Sequence, residues 1–443
     1  MTNLFQRIVA FFMSVIALFS GLSPLRDKDP TAAVAVLYTG GTLAGNSGAC
    51  TSIPADASVP VNCLLLREDG NHIKEFTLEA YANGAYTLVT KGDTVGAYRL
   101  CSFNSIAAEA FRLTVTACTE ENFTLSGIEL CTEEASNSAF RVVSYLVANG
   151  IDSSYKPDTG WLQTSTDVIL FGLGNFDEEG NVTVENIQNL PWLIQKCRSI
   201  NPALRIHINF LGPRVDKPTW EESMAASEKL HKNAMVLHRA RFIKNLCAVL
   251  DTYELDGLYF DWEYPLEKES RYVFSSFLAD LDVALGEKEL GAALSGWCSE
   301  LTPRGIAALD SVEMMAYDAF DDFGYHAPFS AGYSNVAQFL ANGFRKEQLH
   351  LGLAFYARPT DKGGYWPTYH NYAEQLGKYN NYLLADFNGE PMEMYFNSVQ
   401  LIRDKTAYAE AASLGGVMIW NMACDMPYES PLSLYRAIHD TLQ

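Results

Sequence analysis

The chemistry in this chain of 443 residues is concentrated in one short stretch, Leu255-Asp256-Gly257-Leu258-Tyr259-Phe260-Asp261-Trp262-Glu263-Tyr264-Pro265. In a β-strand alternate side chains share a face, so Tyr259, Asp261 and Glu263 point one way and Phe260 and Trp262 the other. In a barrel strand the apolar pair suits the side packed by helices. That sends two carboxyls and a phenol inward, where charge is expensive unless it has a task. Glu263 stands last, near the C-terminal rim where barrel enzymes hold their reacting groups. A carboxyl beside a second carboxyl suits general acid–base work, because burial and a neighbouring negative charge raise its pKa toward neutrality.

The elements that must position these residues follow from the apolar pattern. From Phe140 onward, short apolar runs alternate with helical periods. The runs are Val142–Val147, Val168–Leu173, Leu204–Phe210, Leu255–Phe260, Leu290–Leu294, Val312–Met315, Leu349–Phe355 and Gly416–Ile419. Between several lie amphipathic helices, such as Arg271–Leu281 with Phe274, Phe277, Leu278 and Leu281 on one face. Eight strands with helices between them predict an α/β fold, a (β/α)8 TIM barrel over residues 138–443. Residues 31–137 read as a small all-β sandwich. Phe76, Leu78, Ala80 and Phe111, Leu113, Val115 alternate with polar residues, and turns fall at Asp69-Gly70, Asn83-Gly84 and Lys91-Gly92-Asp93. Residues 1–30 read as a signal peptide or an uncleaved N-terminal anchor, because Arg7 precedes an apolar run from Ile8 to Leu22 that Pro24 ends. That places the protein outside the cell or at its surface.

Composition narrows the ligand. The chain has 32 basic and 53 acidic residues, a net charge of −21, which argues against nucleic acid. Aromatic residues make up 12% and suit a neutral, stackable ligand such as a sugar. The nine cysteines form no CxxC, so they read mostly as buried thiols, with one or two bridges open in the early segment. The eight histidines show no ligand spacing, no HExxH occurs, and neither metal nor cofactor is expected.

Four motifs in order resemble glycoside hydrolase family 18, the chitinase-type barrels. The family's DGxDxDxE is matched by Asp256, Gly257, Asp261 and Glu263; its Met-x-Tyr-Asp by Met315-Ala316-Tyr317-Asp318; its Gly-x-x-x-Tyr-x-Arg by Gly352 through Tyr356 and Arg358; its eighth-strand tryptophan by Trp420. The resemblance implies a glycosidase acting on β-linked N-acetylglucosamine glycans with retention, in which the sugar's own acetamide is the nucleophile. It assigns Glu263 as general acid and base, Asp261 as its companion and orienter of the acetamide, Tyr317 as donor to the acetamide oxygen and Asp318 as a contact to the same sugar. Trp420 would floor the site, with Met315, Tyr145, Tyr356 and Arg358 lining it. Plainer roles stand beside these: Tyr145 and Tyr356 as core, Arg358 as partner of Asp318, and Asp256-Gly257 as the turn into the strand. The stretches Leu64–Gly70, Gly96–Arg99 and Ala110–Leu113 resemble the discoidin-like (coagulation factor type C) sandwich, an accessory module that often binds carbohydrate.

Departures from the family pattern set further expectations. Tyr259 stands where the signature has its middle aspartate, so a phenol donating to Asp261 and a less perturbed Asp261 are expected. Ile208-Asn209-Phe210-Leu211-Gly212 replaces the family's third-strand Ser-x-Gly-Gly. The span between Tyr356 and Trp420 looks too short for the small α+β insertion of many relatives, which predicts an open groove. Two alternatives remain: an endo-β-N-acetylglucosaminidase acting on N-glycans or cell-wall glycan, and a non-catalytic chitin- or glycan-binding lectin.

Overall fold

The computed structural model describes residues 35–132, 140–387 and 389–443. The leader expected at residues 1–30 lies outside them. No described helix is long and apolar enough to cross a membrane.

Nine strands make the first part: β1 (Ala35–Thr39), β2 (Leu43–Gly45), β3 (Cys50–Pro54), β4 (Val61–Glu68), β5 (Ile73–Ala82), β6 (Ala85–Gly92), β7 (Arg99–Ile106), β8 (Ala110–Cys118) and β9 (Phe123–Thr132). They form two antiparallel sheets, β1-β9-β4-β7 with β2 beside β9, and β3-β8-β5-β6. Leu64 and Leu66 from one sheet meet Phe76, Leu78, Leu113 and Val115 from the other. The Asn83-Gly84 turn joins β5 to β6 with both residues at positive φ, 52° and 81°. A two-residue hairpin requires that backbone. Strand β4 is buried on both faces: Leu64 and Leu66 fill the sandwich, whereas Cys63 and Leu65 join the core of the barrel. Its unbroken leucine run follows from that double burial.

The barrel strands are β10 (Arg141–Val147), β11 (Asp167–Phe176), β13 (Arg205–Phe210), β14 (Gly257–Phe260), β15 (Glu289–Leu294), β16 (Ser311–Met314), β17 (Leu349–Ala354) and β21 (Gly416–Trp420), with β12 (Val182–Val184) as a hairpin on β11. All eight coincide with the expected runs. Neighbours pair in parallel, and β10 closes the ring by pairing with both β11 and β21. The predicted faces hold as well. Phe260 packs outward among Phe176, Phe242, Phe274 and Phe277. Trp262 stacks on His231 at 4.4 Å, while Tyr259 faces the interior with Val143, Ile169 and Met418.

Two expectations are corrected here. The span after Tyr356 holds a three-stranded antiparallel sheet, β18 (Arg358–Pro359), β19 (Tyr382–Phe387) and β20 (Glu390–Tyr395). It is compact because two of its strands form one hairpin, which length alone did not reveal. Tyr259 does not reach Asp261. Its hydroxyl bonds Glu289 and lies 2.7 Å from Ser311 Oγ, in the layer below. Gly291, its partner on β15, leaves the room: a Cβ there would sit 2.1 Å from the Tyr259 ring. That lower layer is an ion-pair network in which Arg141 and Arg205 both contact Asp167 and Glu289, with His207 on Asp167 at 2.9 Å. The paired guanidinium groups offset the cost of burying these carboxylates.

Sandwich and barrel share a buried seam. Arg99 of β7 meets Asp404 of the helix Val399–Ala411 at 2.8 Å, and Asp404 also accepts the Ser102 amide. Tyr98 stacks on Tyr333 at 5.2 Å. Asp93 accepts from Asn381 and Tyr395 of the insertion. Cys101, Cys131, Cys197, Cys298 and Cys424 are buried thiols.

Candidate active site

The barrel mouth gathers what the sequence scattered. Asp261 and Glu263 follow the end of β14, and the Asp261 amide still bonds the Phe210 carbonyl at 3.0 Å. Glu263 keeps about a third of its side chain open, at 31%, whereas Asp261 is 5% exposed. The two carboxyls lie within hydrogen-bond reach. Burial, then the Glu263 charge and that hydrogen bond, push the Asp261 pKa well above the usual carboxylate range. Burial is the largest cause of that rise. A neutral, proton-bearing Asp261 beside an open Glu263 can pass a proton between them.

Tyr317 follows β16 and faces the same pair. Burial, then the negative charges of Asp261 and Glu263, raise its pKa far above the ordinary phenol value. Its hydroxyl stays protonated, a donor beside acids. This hydroxyl lies 4.0 Å from Met418 Sδ, a weak acceptor, and so retains capacity for a ligand. Asp318 is held from three sides: the Tyr356 hydroxyl donates at 2.9 Å, Arg358 lies at 3.0 Å, and His326 Nε2 lies at 3.2 Å. Burial opposes its charge, but His326, Tyr356 and Arg358 outweigh burial and lower its pKa. Asp318 remains an anion, with 42% of its side chain open.

Trp420 is half-buried, with Phe171 edge-on at 4.7 Å and Tyr145 at 5.3 Å. Tyr145 is 1% exposed and Tyr356 5%, so both lie beneath the surface, as core residues do. Arg358 pairs with Asp318, the plainer of its two expected roles, and its guanidinium also lies 4.5 Å from the exposed Trp366 ring. Met315 is half-buried, its amide bonded to Leu294. Asp256 serves the strand: its carboxylate accepts the Ile206 amide at 2.7 Å and Arg198 at 2.9 Å. Gly257 is obligatory there, since a Cβ would fall 2.3 Å from the Glu289 carbonyl oxygen.

Sequence reasoning missed four neighbours. Phe171 alternates with Ile169 on β11, and that spacing could have placed it inward. His326 and Arg214 lie in loops with no local signal; Arg214 reaches to 3.9 Å of Glu263. Trp297, exposed and 4.6 Å from Tyr264, sits in the turn after β15.

Comparison with known proteins agrees with this geometry. Residues 141–425 match the family described as glycosyl hydrolases family 18. "Probable chitinase 10" of Drosophila melanogaster is 25% identical over 249 residues, 42% of this chain and 11% of that protein. "Probable chitinase 2" of the same organism is 27% identical over 161 residues, 31% of this chain and 33% of that one. The match thus spans a third or less of either relative. Among solved structures, a chitinase from the chitin utilization locus of Flavobacterium johnsoniae aligns with a TM-score of 0.54 at 24% identity, over 68% of this chain and 94% of that one. A chitinase-like agglutinin from Robinia pseudoacacia aligns at 0.52 and 18%, over 68% and 99%. At these identities the likeness speaks to the fold.

Proposed function

The chain belongs to glycosyl hydrolases family 18, and on that premise we propose that it hydrolyses β-linked N-acetylglucosamine glycans, chitin or its oligosaccharides, with retention of configuration. The observation that carries this reading is the buried Asp261 carboxyl set beside the open Glu263 at the barrel mouth. Asp261 passes its proton to Glu263, which delivers it to the glycosidic oxygen as the C1–O bond breaks, leaving Asp261 an anion. The acetamide oxygen of the same sugar attacks C1, forming an oxazolinium ion. Asp261 accepts the acetamide N–H and stabilises the cation, and the Tyr317 hydroxyl holds the acetamide oxygen in line. Glu263, now a carboxylate, takes a proton from water as that water adds to C1, which restores both acid and sugar. Asp318 bonds the same sugar, and Trp420 stacks beneath it.

Trp297 beside Tyr264 and Trp366 over Arg358 offer exposed faces for further sugar units. An endo-acting enzyme on N-glycans or cell-wall glycan would use the same chemistry with different neighbouring contacts. The second reading, a glycan-binding lectin, draws on Tyr259 in the signature and on the agglutinin among the structural neighbours. A secreted or surface location and a discoidin-like, glycan-binding sandwich complete the proposal.

The test is hydrolysis of chitooligosaccharides and N-glycans by the wild type beside Glu263→Gln. Turnover by wild type and a loss of at least about 100-fold in the variant support the enzyme. Binding without turnover by both proteins supports the lectin. Failure of a thiazoline mimic of the cyclised intermediate to inhibit turnover rules out the acetamide route.

A further inference from the structure

A cleft of about 370 Å³ lies between the sandwich and the barrel, away from Glu263. Leu88, Phe103 and Asn104 supply the sandwich wall; Gln400 and Arg403 of the helix Val399–Ala411, with Lys378 and Arg436, supply the other. Its size is that of an ordinary small-molecule pocket. Its charge runs against the rest of the molecule: three cations and one carboxylate, Asp440, line it in a chain of net charge −21.

The two arginines keep donor capacity. Arg403 donates through Nη2 to Asn104 Oδ1 at 2.9 Å, across the boundary between the two parts. Its Nε is buried and has no hydrogen-bond partner. A buried guanidinium N–H left open is costly unless a ligand completes it. Arg436 meets Asp440 only at 3.8 Å, with both side chains about half exposed. Leu88, 52% exposed on β6, adds an uncovered apolar surface beside these donors.

We infer that this cleft is a second ligand site, which takes a sugar unit bearing a carboxylate or sulfate group. The anion meets Arg403, Arg436 and Lys378; ring hydroxyls meet Asn104 and Gln400; the ring's apolar face rests on Leu88 and Phe103. Three cations against the single carboxylate of Asp440 leave the cleft with an excess of positive charge that a neutral N-acetylglucosamine unit does not answer, so the site discriminates by charge, which the mouth does not require.

The experiment uses the full chain carrying Glu263→Gln, titrated calorimetrically with chitobiose, with its 6-O-sulfated form and with inorganic sulfate. The sulfated disaccharide should bind at least about tenfold tighter than chitobiose, and about tenfold more weakly after Arg403→Met, the loss of one charge-assisted hydrogen bond. Added salt should weaken it, and Trp420→Ala should leave it unchanged. Arg436→Gln gives the same loss without touching the Arg403–Asn104 bond, and in the wild-type background leaves turnover of short neutral substrate unaltered. Equal binding of both disaccharides, no binding at millimolar concentration, sensitivity to Trp420→Ala, or indifference to both arginine variants overturns the site. Inorganic sulfate binding as tightly as the sulfated sugar overturns its assignment to a saccharide. None of these outcomes depends on whether Glu263 is catalytic.

Discussion

Asp261 shows how one side chain links stability to activity. In the fold its carboxyl keeps a proton that the unfolded chain releases near pH 3.9. The folded state thus binds more protons above that pH. Its stability falls as pH rises from there toward the raised folded value, and stays lower beyond it. Asp261→Asn keeps the neutral form at every pH. It should melt above wild type at pH 8 while losing about 100-fold or more in kcat; a Tm–pH series and a rate assay check both. The alternation in residues 259–263 disclosed which side chains face inward, since a strand's period is two. It could not disclose depth. Tyr259 reaches the layer below only because Gly291 stands opposite, a pairing 32 positions away that local spacing does not encode. Arg214 and His326 were hidden for the same reason, being brought to the site by loops.

At the scale of elements, the helix Trp220–Lys232 is fastened to the barrel by His231, stacked flat on Trp262 at an interplanar angle of 5°. Burial lowers the His231 pKa to about 4, so the ring is neutral in the fold and charged in the unfolded chain below about pH 6.5. The unfolded state then binds the extra proton, and stability is lost as pH falls through the interval from 6.5 to 4. The loss should reach about 2 kcal/mol by pH 5. His231→Phe preserves the stacking and should flatten this part of the curve in urea melts between pH 7 and 5, even if losing the bond to Ser227 lowers stability overall. All eight barrel strands were legible, because each is a short apolar run with helices between. The insertion was not: Tyr382–Phe387 and Glu390–Tyr395 alternate weakly, and several of their side chains are exposed.

Across the whole molecule, the sandwich is bonded into the barrel rather than tethered beside it. Arg99 and Asp404 are 1% and 0% exposed. Replacing Arg99 with Met strands the Asp404 carboxylate in the interior and should cost about 3–5 kcal/mol. Chemical denaturation should show one transition for both parts; two separate transitions, or a barrel stable without residues 1–139, would contradict this. Nothing in the sequence announced the seam, because Arg99 and Asp404 lie 305 positions apart.

The seam continues to the mouth in few steps. Asp93 in the sandwich accepts the Tyr395 hydroxyl, Tyr395 is the strand partner of Arg358, and Arg358 clamps Asp318. Two residues, Tyr395 and Arg358, thus stand between Asp93 and the carboxylate that the clamp holds. Removing that acceptor by Asp93→Ala leaves the Tyr395 hydroxyl without it, one strand pairing from Arg358.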